Sequence, residues 1–303
     1  MFVGRSLEKV DAAAKVAGRA AFAYDLKTEE MLFACIFRSE RLHAQIGRID
    51  TREAISLPGV VRILSAKDIP GKNLFGAIRK DQPYLADGTV RYRGEPILVV
   101  VAKNEEVARR ACGLIQVSYE EIPPILSPAD AESSAFLLHQ DGNLLSYRRV
   151  RKGDVEKGFS EADVIVEHTY STHWIDHAFL ETEAGIGYLD ERGRVVIESS
   201  TQNIHYKRAE AARLLGIPEE RVRVIQATTG GGFGGKLDVT VEGFLALAVH
   251  HLRRPVIMRY TREESFLANT KRHPLHIEYK TGARKDGTLT GIERINGKRL
   301  HIE

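Results

Sequence analysis

A run of glycines between a strand pattern and a helix pattern constrains this 303-residue chain more than any other feature. Residues 221–226 (RVRVIQ) alternate as a strand does, and residues 230–236 (GGGFGGK) follow as a glycine loop. Residues 241–252 then carry apolar side chains at helical spacing, which predicts an amphipathic helix before a further strand at 255–260. Such a unit brings bare backbone N–H groups near a helix start, an arrangement that favours anions such as phosphates.

The loop satisfies two generic phosphate-binding patterns at once. Gly230, Gly232 and Gly235 fit the GxGxxG pattern of dinucleotide-binding proteins. Gly230, Gly235 and Lys236 also fit GxxxxGK, most of a P-loop. The P-loop interpretation fails on chemistry, because Leu237 stands where a Ser or Thr hydroxyl would bind magnesium.

Two interpretations of the loop stay open on the residues alone. In the first it binds a dinucleotide, with Glu263 or Glu264 as the acidic residue after the next strand. The unit lies late in the chain for that purpose, with little sequence left to complete a nucleotide domain. In the second, the glycines merely permit a tight turn and close packing.

Composition excludes several other classes of protein. Lys and Arg number 44 against 41 Asp and Glu, so the chain lacks the basic excess expected if nucleic acid were its main partner. Two cysteines, Cys35 and Cys112, cannot build a disulfide scaffold or a multi-cysteine metal or iron–sulfur site. The N-terminus has no apolar core of a secretory signal, and no apolar run approaches the roughly 20 residues of a membrane span. We therefore expect a cytoplasmic protein with no membrane partner.

The pattern along the chain predicts two mixed α and β segments. Predicted strands fall at 32–38, 59–64, 96–102, 116–119, 163–170 and 195–198, and predicted helices at 105–115 and 205–215. Residues 73–88 are predicted to be a loop. Prolines and small residues with no firm periodicity occupy the stretch from about 123 to 150, so we place a boundary there. The predicted domains are residues 1–135 and 136–303.

Several segments together resemble the molybdenum hydroxylases, the family of xanthine dehydrogenases, aldehyde oxidases and aerobic carbon monoxide dehydrogenases. The resemblance extends over nearly the whole chain, to about Ile292. The segments that carry it are 10–12, 15–20, 58–60, 93–96, 117–124, 176–182, 199–203, 230–236 and 271–274.

This resemblance implies a fold, a chemistry and a set of partners. The implied fold is α+β, with an α/β hammerhead domain followed by the first part of a molybdopterin-binding α+β domain. Family members hydroxylate a C–H bond of a purine, an aldehyde or a related substrate with oxygen from water. Their molybdenum is held by a pterin, often in a cytosine dinucleotide form in bacteria, and electrons leave through iron–sulfur and FAD subunits. The resemblance places no iron–sulfur cluster or flavin on this chain.

The resemblance also assigns site residues. Gln202 would place its amide beside an oxygen or sulfur ligand of molybdenum, where a glutamine adds no charge. Gly232, Phe233 and Gly234 would bring backbone N–H groups against the cofactor, where any Cβ would clash, and Phe233 would help to wall the metal pocket. The cofactor-binding set is therefore Gln202, Gly231, Gly232, Phe233, Gly234 and Gly235.

Other candidates carry less weight. Glu181 is either a buried carboxylate that orients a loop or a surface glutamate, and we do not assign it a catalytic role. His168, His173 and His177 share no helix face, which argues against a zinc site. Residues 271–273 (KRH) are interpreted as a solvated or packing turn rather than an anion clamp.

Two departures from the family pattern limit the expected function. Purine-oxidising members often have a substrate-binding Glu directly after the lysine of the loop, whereas Leu237 stands here. Family subunits also run to more than twice this length, and their later half supplies the general-base glutamate and further cofactor contacts. We expect these 303 residues alone neither to hold the cofactor tightly nor to turn over. A split or partial catalytic subunit and a non-catalytic remnant or interaction module remain the two function classes.

Overall fold

The computed structural model of the chain describes residues 3–139, 142–296 and 299–300, which form a mixture of helices and strands. The helices are α1 (Ala12–Val16), α2 (Arg52–Ser56), α3 (Glu105–Gly113), α4 (Pro128–Ser133), α5 (Val155–Ser160), α6 (Ile204–Leu215), α7 (Glu242–Leu252) and α8 (Arg262–Ala268). The strands are β1 (Leu32–Arg38), β2 (Ala44–Asp50), β3 (Val60–Leu64), β4 (Leu74–Phe75), β5 (Gln82–Pro83), β6 (Thr89–Val90), β7 (Pro96–Ala102), β8 (Gln116–Glu121), β9 (Leu144–Ser146), β10 (Val164–Ser171), β11 (Ala184–Leu189), β12 (Val195–Ser199), β13 (Val222–Gln226), β14 (Val256–Arg259), β15 (His276–Ala283), β16 (Leu289–Asn296) and β17 (Arg299–Leu300).

The chain divides into two compact units. The first comprises residues 1–121 and 177–269, and the second comprises residues 122–176 and 270–303. Each unit is therefore built from two separate stretches of sequence, whereas the sequence-based boundary at 135/136 cuts the chain once. That boundary remains a prediction of where two domains meet along the sequence.

A mixed sheet with strand order β13-β12-β11-β14-β1-β7-β3 organises the first unit. Strand β7 has every residue buried, as its continuous β-branched run predicts, because neighbouring elements cover both of its faces. Helix α3 packs on β1 and β7, and helix α7 packs on β11, β12 and β14. The α+β class expected from the sequence is confirmed.

Helix α7 differs from the amphipathic helix that the sequence predicts. All residues from Glu242 to Val249 are buried, so the helix has no solvated face along that length. It is covered by the sheet and by α6, which packs along it. The apolar spacing in the sequence identifies the helix. It does not reveal that Glu242, the polar first residue of the helix, is also buried.

The buried acid at the start of α7 is paired with a buried lysine of α6. Lys207 Nζ donates to Glu242 Oε1 at 2.8 Å, and both side chains are essentially inaccessible to solvent. Ser199 Oγ donates to the same oxygen at 2.8 Å, and the Thr240 amide donates to Oε2 at 2.9 Å. Burial acts to raise the pKa of Glu242, but the charge of Lys207 and these hydrogen bonds hold the pKa below its usual value.

The second unit contains a three-stranded antiparallel sheet with strand order β10-β15-β16, on which α5 packs. The stretch near 123–150 that was predicted to be irregular contains the short elements α4 and β9, and the predicted loop at 73–88 contains β4 and β5. Among the described residues, no helix is long and apolar enough to cross a membrane.

Breaking the Lys207–Glu242 pair is expected to destabilise the first unit strongly. Lys207→Met leaves a buried carboxylate without its cation and should cost about 3–5 kcal/mol of unfolding free energy. The double variant Lys207→Met/Glu242→Leu should be more stable than either single variant, because no uncompensated charge remains. Urea denaturation followed by circular dichroism measures all three variants.

The matched control is Arg208→Met, one residue further along α6. Its ion pair with Glu219 is 41% and 46% exposed, so its loss should cost less than about 1 kcal/mol. A double variant that is less stable than both single variants would contradict the interpretation.

Candidate cofactor-binding site

The neighbouring strands β12 and β13 bring two distant segments of the chain together. They are parallel, and Ser199 at the end of β12 pairs with Gln226 at the end of β13. The carboxyl ends of parallel neighbours lie at the same edge of a sheet. Residues 200–202 and the glycine loop at 230–236 therefore meet at that edge.

The loop turns tightly and exposes its one aromatic side chain. Gly231 and Gly234 have φ angles of +101° and +99°, in the region that favours glycine, and Phe233 is held at +50°. The Phe233 side chain is 74% exposed. The chain thus presents a large apolar ring from the most constrained part of the loop.

The backbone amides at the tip of the loop are available to a ligand. Within the described part of the chain, the N–H groups of Gly231, Gly232 and Phe233 donate no hydrogen bond. The following amides are engaged, since Gly235 N donates to Gly232 O at 2.7 Å and Gly234 N donates to Gln202. Three successive free donors favour an anion or another group rich in acceptor atoms.

Gln202 is fixed against the loop by its side-chain oxygen. Its Oε1 accepts hydrogen bonds from the amides of Gly234 and Lys236, both at 3.2 Å. Only an oxygen can accept from two N–H donors, so the amide has one possible orientation. The Nε2 donates to no acceptor among the described residues, and the side chain is exposed. Gln202 therefore offers its remaining hydrogen-bonding capacity as a donor.

The glycines of the loop are required by close neighbours. A Cβ at Gly232 would lie 2.6 Å from Gln202 Oε1 and 2.7 Å from its Cδ. A Cβ at Gly235 would lie 2.9 Å from both His177 Nδ1 and Phe179 Cε1. Gly232 thus keeps the space for the glutamine amide, whereas Gly235 packs against the protein beneath the loop.

A buried ion pair lies beneath the loop. Lys236 Nζ is 3.1 Å from Glu181 Oε2 and donates to the main-chain oxygen of Glu181 at 2.8 Å and to Ser200 Oγ at 2.6 Å. The ammonium also lies 4.5 Å from the centroid of the Phe179 ring. Burial lowers the pKa of Lys236, while the attraction of Glu181 opposes that shift.

Glu181 forms hydrogen bonds with both the start of the loop and a distant N-terminal segment. Its Oε2 accepts from the Gly230 amide at 2.7 Å and from Ser200 Oγ at 2.6 Å, and its Oε1 accepts from the Ala23 amide at 3.2 Å. Of the two roles considered for this residue, the structure shows the buried carboxylate that orients a loop. Glu181 is an organising residue, and its oxygens are directed to protein donors.

These contacts argue against both nucleotide interpretations of the loop. The Lys236 side chain is fully buried and occupied by Glu181, so it cannot act as the phosphate-binding lysine of a P-loop. The loop is also separated from α7 by residues 237–241, and β13 and β14 are not neighbours in the sheet. A dinucleotide-binding unit needs the loop to open the helix and the two strands to lie side by side.

The remaining sequence candidates do not converge on this site. The ring of His177 lies beside Gly235, while His168 and His173 belong to the second unit. Lys271 pairs with Asp176 at 2.8 Å, and His273 contacts the Trp174 ring, both within the second unit. Ser200 and Phe179, which contact the buried ion pair, were not predicted as site residues from the sequence. Each lies two residues from a predicted candidate, Gln202 and Glu181 respectively.

The fold and the site define the molybdenum-binding subunits of the xanthine dehydrogenase and aldehyde oxidase class. Residues 17–123 match the family "Aldehyde oxidase and xanthine dehydrogenase, a/b hammerhead domain", and residues 138–295 match the "Molybdopterin cofactor-binding domain" family. The chain belongs to this molybdenum hydroxylase family, and the resemblance noted from the sequence is confirmed.

Individual relatives cover nearly all of this chain. The nicotinate dehydrogenase large molybdopterin subunit of Eubacterium barkeri is 43% identical over 96% of this chain and 69% of that protein. The xanthine dehydrogenase molybdenum-binding subunit of Escherichia coli O157:H7 is 35% identical over 93% of this chain but only 39% of that protein. The aldehyde oxidoreductase structure from Desulfovibrio desulfuricans ATCC 27774 superposes with a TM-score of 0.89 at 30% identity, over 97% of this chain and 34% of that chain. The chain therefore spans well under half of the length of the latter two proteins.

Removing the charge of Glu181 is expected to destabilise the loop and the unit around it. Glu181→Gln leaves the buried Lys236 ammonium without a counter-charge and should cost about 3 kcal/mol of unfolding free energy. The control, Glu167→Gln, removes an acid that is 70% exposed and pairs with Lys280, so it should change the stability by less than about 1 kcal/mol. Equal effects of the two variants in urea denaturation would show that the buried pair is not a structural support.

Gly232→Ala is expected to displace Gln202 without unfolding the chain. The added Cβ overlaps the glutamine amide, whose hydrogen bonds to Gly234 and Lys236 should then break. Hydrogen–deuterium exchange at those two amides should become faster. Gly113→Ala is the control, because its Cβ meets no atom within 4 Å. Unchanged exchange at Gly234 and Lys236 in Gly232→Ala would refute this account of the loop.

Proposed function

We propose that this chain supplies one side of the molybdenum–pterin site of a hydroxylase, as the N-terminal part of its molybdenum subunit. The observation that carries the proposal is the fixed orientation of Gln202, whose Oε1 is held by two loop amides. The amides of Gly231, Gly232 and Phe233, which donate to no acceptor among the described residues, add donors beside it.

The residues present fit such a group. A molybdenum–pterin carries oxygen, sulfur and phosphate atoms that accept hydrogen bonds, and the loop offers donors without adding a positive charge. Any side chain at Gly232 would fill the space of the Gln202 amide, which explains the bare backbone there. A metal held by the sulfurs of its own pterin requires no thiolate from the protein, which suits a chain with only two cysteines.

Each residue then has a definite role. Gln202 donates from Nε2 to an oxygen or sulfur ligand of the metal, and its pinned Oε1 keeps that donor in place. The amides of Gly231 to Phe233 donate to acceptor atoms of the group, and Gly234 and Gly235 give the loop its shape. The exposed ring of Phe233 forms an apolar wall that excludes water from part of the pocket.

The reaction is oxidative hydroxylation of a C–H bond with water as the oxygen source. When bound beside Gln202 and the glycine loop, the molybdenum–pterin would supply the redox chemistry, and iron–sulfur and FAD partner subunits would be the electron acceptors. We also propose a cytoplasmic location, which suits the two free cysteines Cys35 and Cys112.

Leu237 bears on the class of substrate. The position after Lys236 carries an apolar side chain that is 47% exposed, so it cannot form the charge-assisted hydrogen bond that a glutamate would give a purine. An aldehyde or an aromatic heterocycle with an apolar edge suits this surface better. The similarity to a nicotinate dehydrogenase subunit supports a heteroaromatic substrate.

The general base and the other side of the pocket come from protein outside these residues. Alone, the 303 residues should bind the cofactor weakly and should not turn over, because in this proposal they supply only one side of the pocket. The proposed function therefore belongs to the complete enzyme that contains this chain, and the complete enzyme is used to test it.

Gln202→Glu is the sharpest test of the proposed site. The carboxylate keeps an oxygen for the Gly234 and Lys236 amides but replaces the Nε2 donor with a second, negatively charged acceptor. Molybdenum occupancy or hydroxylase activity of the purified enzyme should fall roughly 10- to 100-fold, the usual cost of losing a partner of a metal ligand. Metal analysis by mass spectrometry measures the occupancy.

Gln116→Glu is the matched control, because Gln116 is an exposed residue at the start of β8. It introduces the same charge and should leave molybdenum occupancy unchanged. An assembly that contains this chain but no molybdenum would support the alternative of an interaction module.

A further inference from the structure

The two faces of the three-stranded sheet in the second unit follow from its register. Val166 of β10 pairs with Thr281 of β15, and Thr281 pairs with Ile292 of β16. Directly paired residues project from the same face of a sheet. The side chains of one face, here called the open face, include Val164, Val166, Tyr170, Ile277, Tyr279 and Ile292.

Helix α5 covers part of the opposite face. Gly282 and Gly291 lie on it, and a Cβ at either would approach the Phe159 ring of α5 to 3.1 Å and 3.3 Å. Phe159 is buried, and Lys280 Nζ lies 4.8 Å from the centroid of its ring. Helix α5 therefore covers this side around Gly282 and Gly291, whereas Ile165, Glu167 and Ile295 on the same side stay 47%, 70% and 55% exposed.

The open face carries mostly apolar side chains, with His168, Thr281 and Arg294 among them, and it remains accessible to solvent. Val164 is 53% exposed, Val166 48%, Tyr170 53% and Ile292 47%. Strand β10 is also at the edge of the sheet, since its one partner among the described strands is β15. Exposed apolar side chains beside an open strand edge are typical of an interface with other protein.

We infer that the open face is the docking surface for the remainder of the molybdenum subunit, the part that this chain does not cover. This inference rests on the proposed function for the identity of the partner. The supporting fact is that 97% of this chain superposes on only 34% of the aldehyde oxidoreductase chain. The aldehyde oxidoreductase chain therefore contains, besides the part that matches this chain, about twice that length of further protein.

The occupant has a definite chemistry. It must present an apolar surface to Val166, Tyr170 and Ile292, with a hydrogen-bonding group for the tyrosine hydroxyl or the exposed His168. Packing against a sheet face buries alternate residues of β10 only, so Val166 and its neighbour Glu167 should differ sharply in the assembled enzyme. That difference between adjacent residues is a readout independent of activity.

The experiment introduces one cysteine at a time, Val166→Cys on the open face and Glu167→Cys on the other. Both should react with a maleimide in the isolated chain, as judged by mass spectrometry that locates the label. In the assembled enzyme the reaction at 166 should become at least about tenfold slower, the factor given by each 1.4 kcal/mol of docking free energy. The reaction at 167 should be little changed, because that side chain is 70% exposed and projects from the other face.

A benzophenone maleimide at the same cysteine then identifies the neighbour. Cross-linking from 166 to the remaining part of the molybdenum subunit supports the inference. Cross-linking to a second copy of this chain, or equal labelling of 166 in the isolated chain and the assembly, overturns it. An assembly that carries molybdenum but leaves 166 reactive refutes only the docking surface, whereas protection at 166 without molybdenum refutes only the proposed function.

Discussion

The ion pair between Lys236 and Glu181 supports the whole glycine loop. It is buried, and each of its members binds backbone as well as its charged partner. Removing two charges from water is costly, so such a pair persists only where further hydrogen bonds satisfy both groups. Here Ser200, the Gly230 amide and the main-chain oxygen of Glu181 provide them. The loop is consequently anchored at both ends, at Gly230 and at Lys236.

That anchoring determines which atoms the loop can offer to a ligand. Lys236 and Glu181 bind each other beneath the loop. At its tip, the Gly231, Gly232 and Phe233 amides and Nε2 of Gln202 donate to no acceptor in the described part of the chain. The result is a neutral donor surface rather than a cationic one. The lysine in the motif is thus structural, although the motif resembles those in which lysine binds phosphate.

The sequence predicts much of this fold and part of the site. Strand β7, helix α3 and helix α6 are found close to their predicted bounds, since their patterns are long and strongly apolar or well capped. Strands β2, β11 and β16 were not predicted, because glycine or charged residues interrupt their alternation. Strand β15 was also missed, although residues 276–280 alternate polar and apolar side chains. The meeting of Gln202 with the loop could have been anticipated, since both follow strands that prove to be parallel neighbours. The partner of Lys236 could not, because Glu181 is 55 residues away and lies in no periodic pattern.

The open face and the glycine loop each leave groups exposed that a binding partner could cover, but for different physical reasons. The loop is satisfied internally and lacks only a ligand, so its geometry is fixed before anything binds. The open face has complete backbone pairing between its strands but leaves apolar area in water, which favours association with no particular atom-to-atom geometry. Association through such a face can join two parts of an enzyme, whereas the preformed donors of Gln202 and the loop can select the group held between them. In a subunit assembled from parts, the apolar face would supply affinity and the loop would supply specificity.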